Sequence, residues 1–274
     1  MTDYKLGIHL FGDADKHPLP EQVAMIAHAG FDGLTMKWDR DRTDEVAAAA
    51  ARHGLYFQSL HAPFGQVRTM WDEGEAGEAM QARLISCLDD CAAHSIPVMV
   101  IHAFIGFGMP YIPTQIGLDR FGRVIEHAAK KGVRLAFENV EGEEYLDAIM
   151  TTYGHLDHVG FCLDTGHMMC YNHNRDFLSQ YGHKLFHTHL NDNLGQRGEF
   201  ISTQDDLHLT MGDGIGDWPA IMADIRRTGY RDMLICELSV QNKPNGHELD
   251  RYEAMSREDF YAYAYAAAKR LLAL

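Results

Sequence analysis

Six positions in this chain place a metal-binding side chain in the same local setting. His61 follows FQSL, His102 follows VMVI, Glu138 follows RLAF, Asp164 follows GFCL, His189 follows KLFHT and Glu237 follows MLIC. Imidazoles and carboxylates are the donors that divalent cations take from proteins. A carboxylate that closes a mostly apolar run is costly to bury unless a cation or a cluster of donors compensates it. A lone histidine after an apolar strand is commonly a hydrogen-bonded structural residue, and it is the recurrence, more than any single position, that points to a metal. His167 stands three residues after Asp164 in LDTGH, at a strand-to-helix turn from which it can reach the same place. His187 shares a strand face with His189 because side chains alternate with period two. It lies one layer deeper and is expected to pack behind the ligand, as Asp192 is expected to support it from the following loop. Asp206 and His208 form a D-x-H pair that would complete a second metal position or hydrogen-bond a substrate.

Something must carry six such positions to one place. Short β-type runs at 5–12, 33–38, 55–62, 97–104, 134–140, 160–166, 184–190 and 233–239 alternate with helical patterns such as LPEQVAMIAHAG, TDEVAAAAARHG and LDRFGRVIEHAAKKG, which end in a glycine suited to a helix C-terminus. The last helix starts at Ser256 with Asp259 three residues on, a capping-box pattern. Eight strands, each followed by a helix, predict an α/β fold: a single-domain (β/α)8 TIM barrel over residues 1–274, with the strand ends converging on one mouth. An open doubly wound sheet would carry a glycine-rich phosphate turn after an early strand, whereas GDGIGDW (212–218) comes late and follows no strand.

The chain has 24 Lys and Arg against 39 Asp and Glu, a formal net charge of -15, which disfavours nucleic acid as a partner. The stretch MTDYKLGIHLFGDADKHP lacks the basic start and apolar core of a signal peptide, and no window approaches a membrane span. A cytoplasmic protein without a membrane partner is expected. The five cysteines are an odd number and argue against a disulfide framework; Cys87 and Cys91, four apart, are expected on a buried helix face.

The motifs SLHAPF, VIHAF, FENVEG, LDTGHMM, HLNDN, DLHLTMGDGIGDW and CEL run in order from residue 59 to 238. With them the chain resembles the xylose-isomerase-like TIM-barrel superfamily, in particular its sugar phosphate isomerase/epimerase branch, to which endonuclease IV is related. The ketose epimerase pattern implies a divalent metal on Glu138, Asp164, His189 and Glu237, with His167 at the substrate. The trinuclear zinc pattern of endonuclease IV would be met by His61, His102, Glu138, Asp164, His167, His189, Asp206, His208 and Glu237. VIHAF departs from the His-Pro-Gly usual in endonuclease IV, and Thr35 stands in GFDGLTM where many epimerases have glutamate.

The expected reaction is proton transfer at a carbon next to a carbonyl of a sugar or sugar derivative, through an ene-diolate stabilised by the metal, with Glu138 and Glu237 as the catalytic acid/base pair. Three carboxylates and one imidazole suit Mn²⁺, Mg²⁺ or Co²⁺ for a single ion, and heavier use of histidine moves the preference to Zn²⁺ in a multinuclear site. Arg68, Trp71 and Arg197 are expected to contact the substrate. Phe107, Met109 and Tyr111 would form an apolar lid, and Arg197 or Lys243 would receive a phosphate if one is present. Two other readings are an endonuclease IV-like phosphodiesterase and a metal-binding accessory subunit of a glycoside-processing complex. The sequence allows a homo-oligomer.

Overall fold

Each β-type run is rich in branched and aromatic side chains and is bounded by polar or glycine-containing turns, and each is followed by residues of helical period, so the chain folds as successive βα units. The structure, a computed structural model, describes residues 4–12 and 15–274. Residues 1–3, 13 and 14, part of the N-terminal stretch discussed above, lie outside the described residues. The strands are β1 Leu6–His9, β2 Gly33–Lys37, β3 Tyr56–His61, β4 Val98–His102, β5 Arg134–Glu138, β6 Val159–Asp164, β7 Leu185–His189 and β8 Leu234–Cys236. Every run expected from the sequence overlaps one of them, and β6 alone starts outside its run, one residue early at Val159.

Helices α1 Leu19–Ala29, α2 Thr43–His53, α3 Glu75–Ala93, α4 Gln115–Lys131, α5 Glu143–Tyr153, α6 Thr165–Cys170, α7 Phe177–Tyr181, α8 Trp218–Arg227, α9 Asp250–Glu253 and α10 Arg257–Leu272 fill the connections. Gly30, Gly54 and Gly132 end α1, α2 and α4 in the left-handed region, at φ 106°, 68° and 69°. Ser256 caps α10, its hydroxyl accepting from the Asp259 amide at 3.1 Å and donating to the Asp259 carboxylate at 2.6 Å. Cys87 and Cys91 lie on the buried face of α3. No helix of the described residues is long and apolar enough to cross a membrane.

The strands pair in parallel in the order β7-β6-β5-β4-β3-β2-β1-β8. Closure occurs just past β7, where Leu190 donates to the Ile235 carbonyl at 2.7 Å and accepts from the Glu237 amide at 3.2 Å. The Thr188 hydroxyl also accepts from the Ile235 amide at 3.0 Å. These bonds turn the sheet into a barrel.

Alternation along the strands then sorts the side chains. Met99, Ile101, Leu135, Phe137, Phe161 and Leu163 point outward into the core shared with the helices. Val98, Val100, Ala136 and Cys162 point inward and form a small separate cluster with Phe186. A register shift between Phe161 and Cys162 lets Phe186 join this cluster while His187 and His189 keep the inward face above it. Towards the C-terminal ends the inward set becomes polar, which is where this architecture builds its sites.

Candidate metal centre

His61, His102, Glu138, Asp164 and His189 are each the last residue of a strand, and Glu237 follows β8 by one. Glu138, Asp164 and His189 are fully buried, while the Glu237 side chain keeps 16% exposure to the barrel mouth. Their donor atoms fall into adjoining sets whose members lie within 4.8 Å of one another: Glu138, Asp164, His189 and Glu237; His61, His102 and Glu138; and His167, Asp206 and His208. Glu138 bridges the first two.

Four imidazoles crowd the Glu138 carboxylate. His61 Nε2 and His102 Nε2 lie 3.3 and 3.2 Å from Oε2, and His167 Nδ1 and His189 Nδ1 lie 3.3 and 3.2 Å from Oε1. His189 Nδ1 is also 3.1 Å from Glu237 Oε2.

Backbone carbonyls fix the tautomers of three histidines. A carbonyl oxygen can only accept, so the Nδ1 of His61, His167 and His208 must donate to Ala62, Asn139 and Glu237, at 2.9, 3.0 and 2.9 Å. In the neutral imidazole each Nε2 is then a lone pair, and it points at a carboxylate: His61 at Glu138, and both His167 and His208 at Asp206, at 3.6 and 3.0 Å. Lone pair facing lone pair demands a proton or a metal ion between them. A second ring nitrogen tied to a backbone carbonyl is also the usual support of a metal-ligating histidine. Both oxygens of Glu138, both ring nitrogens of His102 and of His189, and Asp206 Oδ1 are buried without a hydrogen-bond partner. The residues therefore fit divalent cations.

The electrostatics agree. Burial pushes the Asp164 carboxyl up to about 6, against the pull of His167. Burial acts the same way on Glu138 and Glu237, but His189 and the other imidazoles hold both well below the usual carboxylate range. Burial would lower His208, yet Asp206 beside it brings the imidazole to about 9. His9 and His102 are lowered by burial, His9 to about 3, and stay neutral. The cluster thus draws in positive charge.

Asparagines that the sequence reading had not singled out orient the ring. Asn139 exchanges two hydrogen bonds with the Asp164 backbone, both at 2.8 Å. Asp164 Oδ1 accepts from the His167 amide at 2.7 Å. His9, at the end of β1, contacts Glu237 Oε1 at 3.9 Å and the Thr35 hydroxyl at 3.0 Å, so the threonine that departs from the epimerase pattern has a partner within the ring. The run LGIH carried the same signal as the six strand ends. His187 lies one layer down, between Ser59 Oγ at 2.9 Å and Cys162 Sγ at 3.7 Å.

Other expected residues stand elsewhere. Trp71 is drawn into the core: it is 3% exposed, its indole donates to the Ala103 carbonyl at 2.7 Å, and its ring packs on Tyr145 and Phe121. It positions a loop and is not a substrate contact. Arg197, on the β7–α8 loop, is held by Asp205 of the same loop and by Glu248 after β8, and its charge is spent there. Arg68 stays exposed, its guanidinium 3.8 Å from the Met109 sulfur. Tyr111 packs edge-on against Phe104. Asp192 accepts from the Gly212 and Gly216 amides and the Trp218 indole at 2.8 to 2.9 Å. It organises the GDGIGDW loop, and Asn191 next to it reaches Asp164 instead.

A cavity of about 280 Å³ opens over His61, His102, Glu138, His167, Asp206 and Glu237, with Phe64, Ile105, Phe107 and Tyr171 as its apolar wall.

The fold and the site together define a parallel (β/α)8 barrel with a buried ring of imidazoles and carboxylates at its C-terminal mouth. The chain belongs to the xylose isomerase-like TIM barrel family, whose model matches residues 23–257. It is 31% identical over 157 residues to protein y4fM of Sinorhizobium fredii, covering 55% of this chain and 45% of that protein. It is 30% identical over 172 residues to the rhizopine catabolism protein MocC of Rhizobium meliloti, covering 56% and 52%. The matched stretch thus spans about half the length of these curated relatives. Among solved structures, an IolI protein with a bound zinc atom aligns with a TM-score of 0.74 at 18% identity, covering 98% of this chain and 96% of the other. A D-allulose 3-epimerase from Methylomonas sp. in complex with D-allulose aligns at 0.72 and 16%, covering 98% of each. The 3-keto-D-glucoside 4-epimerase YcjR from E. coli aligns at 0.70 and 17%, covering 96% and 100%. At these identities the likeness shows a shared fold.

Proposed function

We propose that this chain is a divalent-metal-dependent isomerase or epimerase that moves a proton at a carbon next to the carbonyl of a sugar or sugar derivative. The observation that carries the reading is the pair Glu138 and Glu237, which both reach His189 Nδ1, at 3.2 and 3.1 Å, and both line the cavity at the barrel mouth. The family, and the sugar epimerases among the structural neighbours, support the substrate class.

Glu138, Asp164, His189 and Glu237 would hold the ion. When bound, a divalent cation supplies Lewis-acid stabilisation of the negative charge that develops on the substrate's oxygens. One of the two glutamates removes the proton from carbon and the other returns it on the opposite face, which inverts that carbon. His167, stacked on Tyr171 with ring centres 5.1 Å apart, borders the cavity and is placed to hydrogen-bond a substrate hydroxyl. Phe64, Ile105 and Phe107 exclude water and cover an apolar sugar face.

The test is exchange of the carbon-bound proton of ketoses in D₂O, with the metal content of each sample measured. Glu138→Gln and Glu237→Gln should each slow exchange by at least about 10²-fold. Exchange at the parent rate in both variants would overturn the mechanism.

The donor sets around His61 with His102 and around Asp206 with His208 favour one second reading, a multinuclear zinc site of the endonuclease IV type. Three zinc ions per chain together with cleavage of abasic DNA would establish it. One Mn²⁺-like ion and ketose turnover by the isolated chain would exclude both that reading and the accessory-subunit reading.

A further inference from the structure

Lys37 closes β2 as His61 closes β3, and the two are in register. Its ammonium lies over the Phe64 ring, 4.5 Å from the centroid. Among the described residues it has no carboxylate partner, although the chain carries a net charge of -15 and the neighbouring ring is rich in carboxylates.

Lys37 stands where two cavities meet. One, of about 350 Å³, runs from Glu237 and His208 past His9 to Lys37. The other, of about 640 Å³, continues from Lys37, Leu10 and Phe11 to Arg40, Arg42 and Arg83. The first shares Glu237 and His208 with the cavity over the metal centre, so a groove leads from the acid/base pair to a cationic end. Among the described residues four cations line the outer cavity against two carboxylates, Asp15 and Asp39, and Asp39 is already engaged by Arg42 at 3.7 Å. The cations of the loops after β7 and β8 are committed: Arg197 to Asp205 and Glu248, and Lys243 to Asp206 at 3.8 Å. A concentrated positive patch inside a negative surface focuses anions, and guanidinium and ammonium groups are the usual partners of carboxylate and phosphate oxygens.

We infer that the groove through Lys37 is a substrate subsite for an anionic group, a carboxylate or a phosphate, borne by the molecule whose carbonyl end lies at the metal centre. The inference rests on the isomerase or epimerase reading for that orientation. Lys37 is the first charge the anion meets, and Arg40 and Arg83 extend the field outward.

The test titrates the full-length, metal-loaded protein by calorimetry at low salt with D-glucose, D-glucuronate and D-glucose 6-phosphate. At least one anionic probe should bind tenfold or more tightly than glucose. Lys37→Met should cut that preference below threefold with metal content unchanged, and Arg83→Gln should reduce it in part. A larger preference for the phosphate assigns the group to a sugar phosphate, and a larger preference for the uronate assigns it to a sugar acid. Equal affinities, absence of binding, or a preference that survives Lys37→Met would overturn the inference; the last result would mean that the anion sits on the metal. Failure of the proton-exchange test would remove the proposed reaction and leave this binding readout intact, so the two failures are distinguishable.

Discussion

Asn191 donates from Nδ2 to Oδ2 of Asp164 at 3.0 Å, joining the segment after β7 to the end of β6. Both residues are fully buried, and a side chain at Gly166 would overlap the Asn191 amide oxygen. The small residue after Thr165 is therefore what lets this bond form. Asn191→Ala should weaken metal binding by about 10- to 100-fold, the usual cost of losing a partner that orients a ligand. Gly166→Ala, which adds a methyl and removes no polar group, should do the same by displacing Asn191. Metal titration with a competing chelator measures both; unchanged affinity in both variants would mean that Asp164 needs no such support.

What the sequence made legible was the part governed by period and by strand ends. Eight runs predicted eight strands, and the last residues of β3 to β7 were recognisable because an apolar run ended abruptly in His, Asp or Glu. His9 obeys the same rule at β1, whereas Lys37 closes β2 with a cation. They were passed over because a histidine inside LGIHLF and a lysine before Trp38 read as ordinary strand-edge residues. Asp192 and Trp71 were placed wrongly for a different reason. Alternation stops where a strand stops, and beyond that point orientation depends on which loop atoms need a partner: the Gly212 and Gly216 amides for Asp192, and the Ala103 carbonyl for the Trp71 indole. No local pattern records those long-range partners.

Removal of the metal should cost stability as well as activity. The Glu138 carboxylate is buried among imidazoles, with neither oxygen hydrogen-bonded. An ion that binds only the folded chain stabilises it by about 2.7 kcal/mol at a concentration 100 times its dissociation constant. For a chain of this size that is on the order of 5 to 10 °C in Tm. Exhaustive chelation should lower Tm by this amount, and readdition of the native metal should restore it. A Tm indifferent to chelation would show that protonated histidines alone balance the cluster.

Arg120 should be the most sensitive basic residue outside the site. It is 4% exposed, and its guanidinium donates to the carbonyls of Thr69, Met70, Asp72 and Gly74 and bonds Glu78 at 3.2 Å. These carbonyls belong to the loop after β3 that carries Trp71. Arg120→Met would leave several acceptors without a donor, at a cost of roughly 2 to 4 kcal/mol. Urea denaturation should report that loss while the metal content of the folded protein stays at the parent level. A change below about 0.5 kcal/mol would show that water takes over the carbonyls freely.

Asp176 offers a pH-dependent contribution remote from the metal centre. It caps α7, accepting from the Ser179 amide at 2.9 Å and the Ser179 hydroxyl at 2.5 Å, and those two bonds lower its carboxyl below the usual value. A carboxyl whose folded pKa is depressed stabilises the fold fully above its unfolded value, about 3.9, and loses that contribution as the pH falls through the folded pKa. Asp176→Ala should therefore cost about 1 kcal/mol at pH 7, as loss of an N-cap does. The gap to the parent should narrow as the pH is taken from 5 towards 3. Asp176→Asn, which keeps an acceptor but no charge, should lose less at pH 7 and leave no acid-dependent cap contribution. Urea midpoints across this range decide the matter: an Ala penalty of equal size at pH 7 and pH 3.5 would assign the cap's effect to hydrogen bonding without charge.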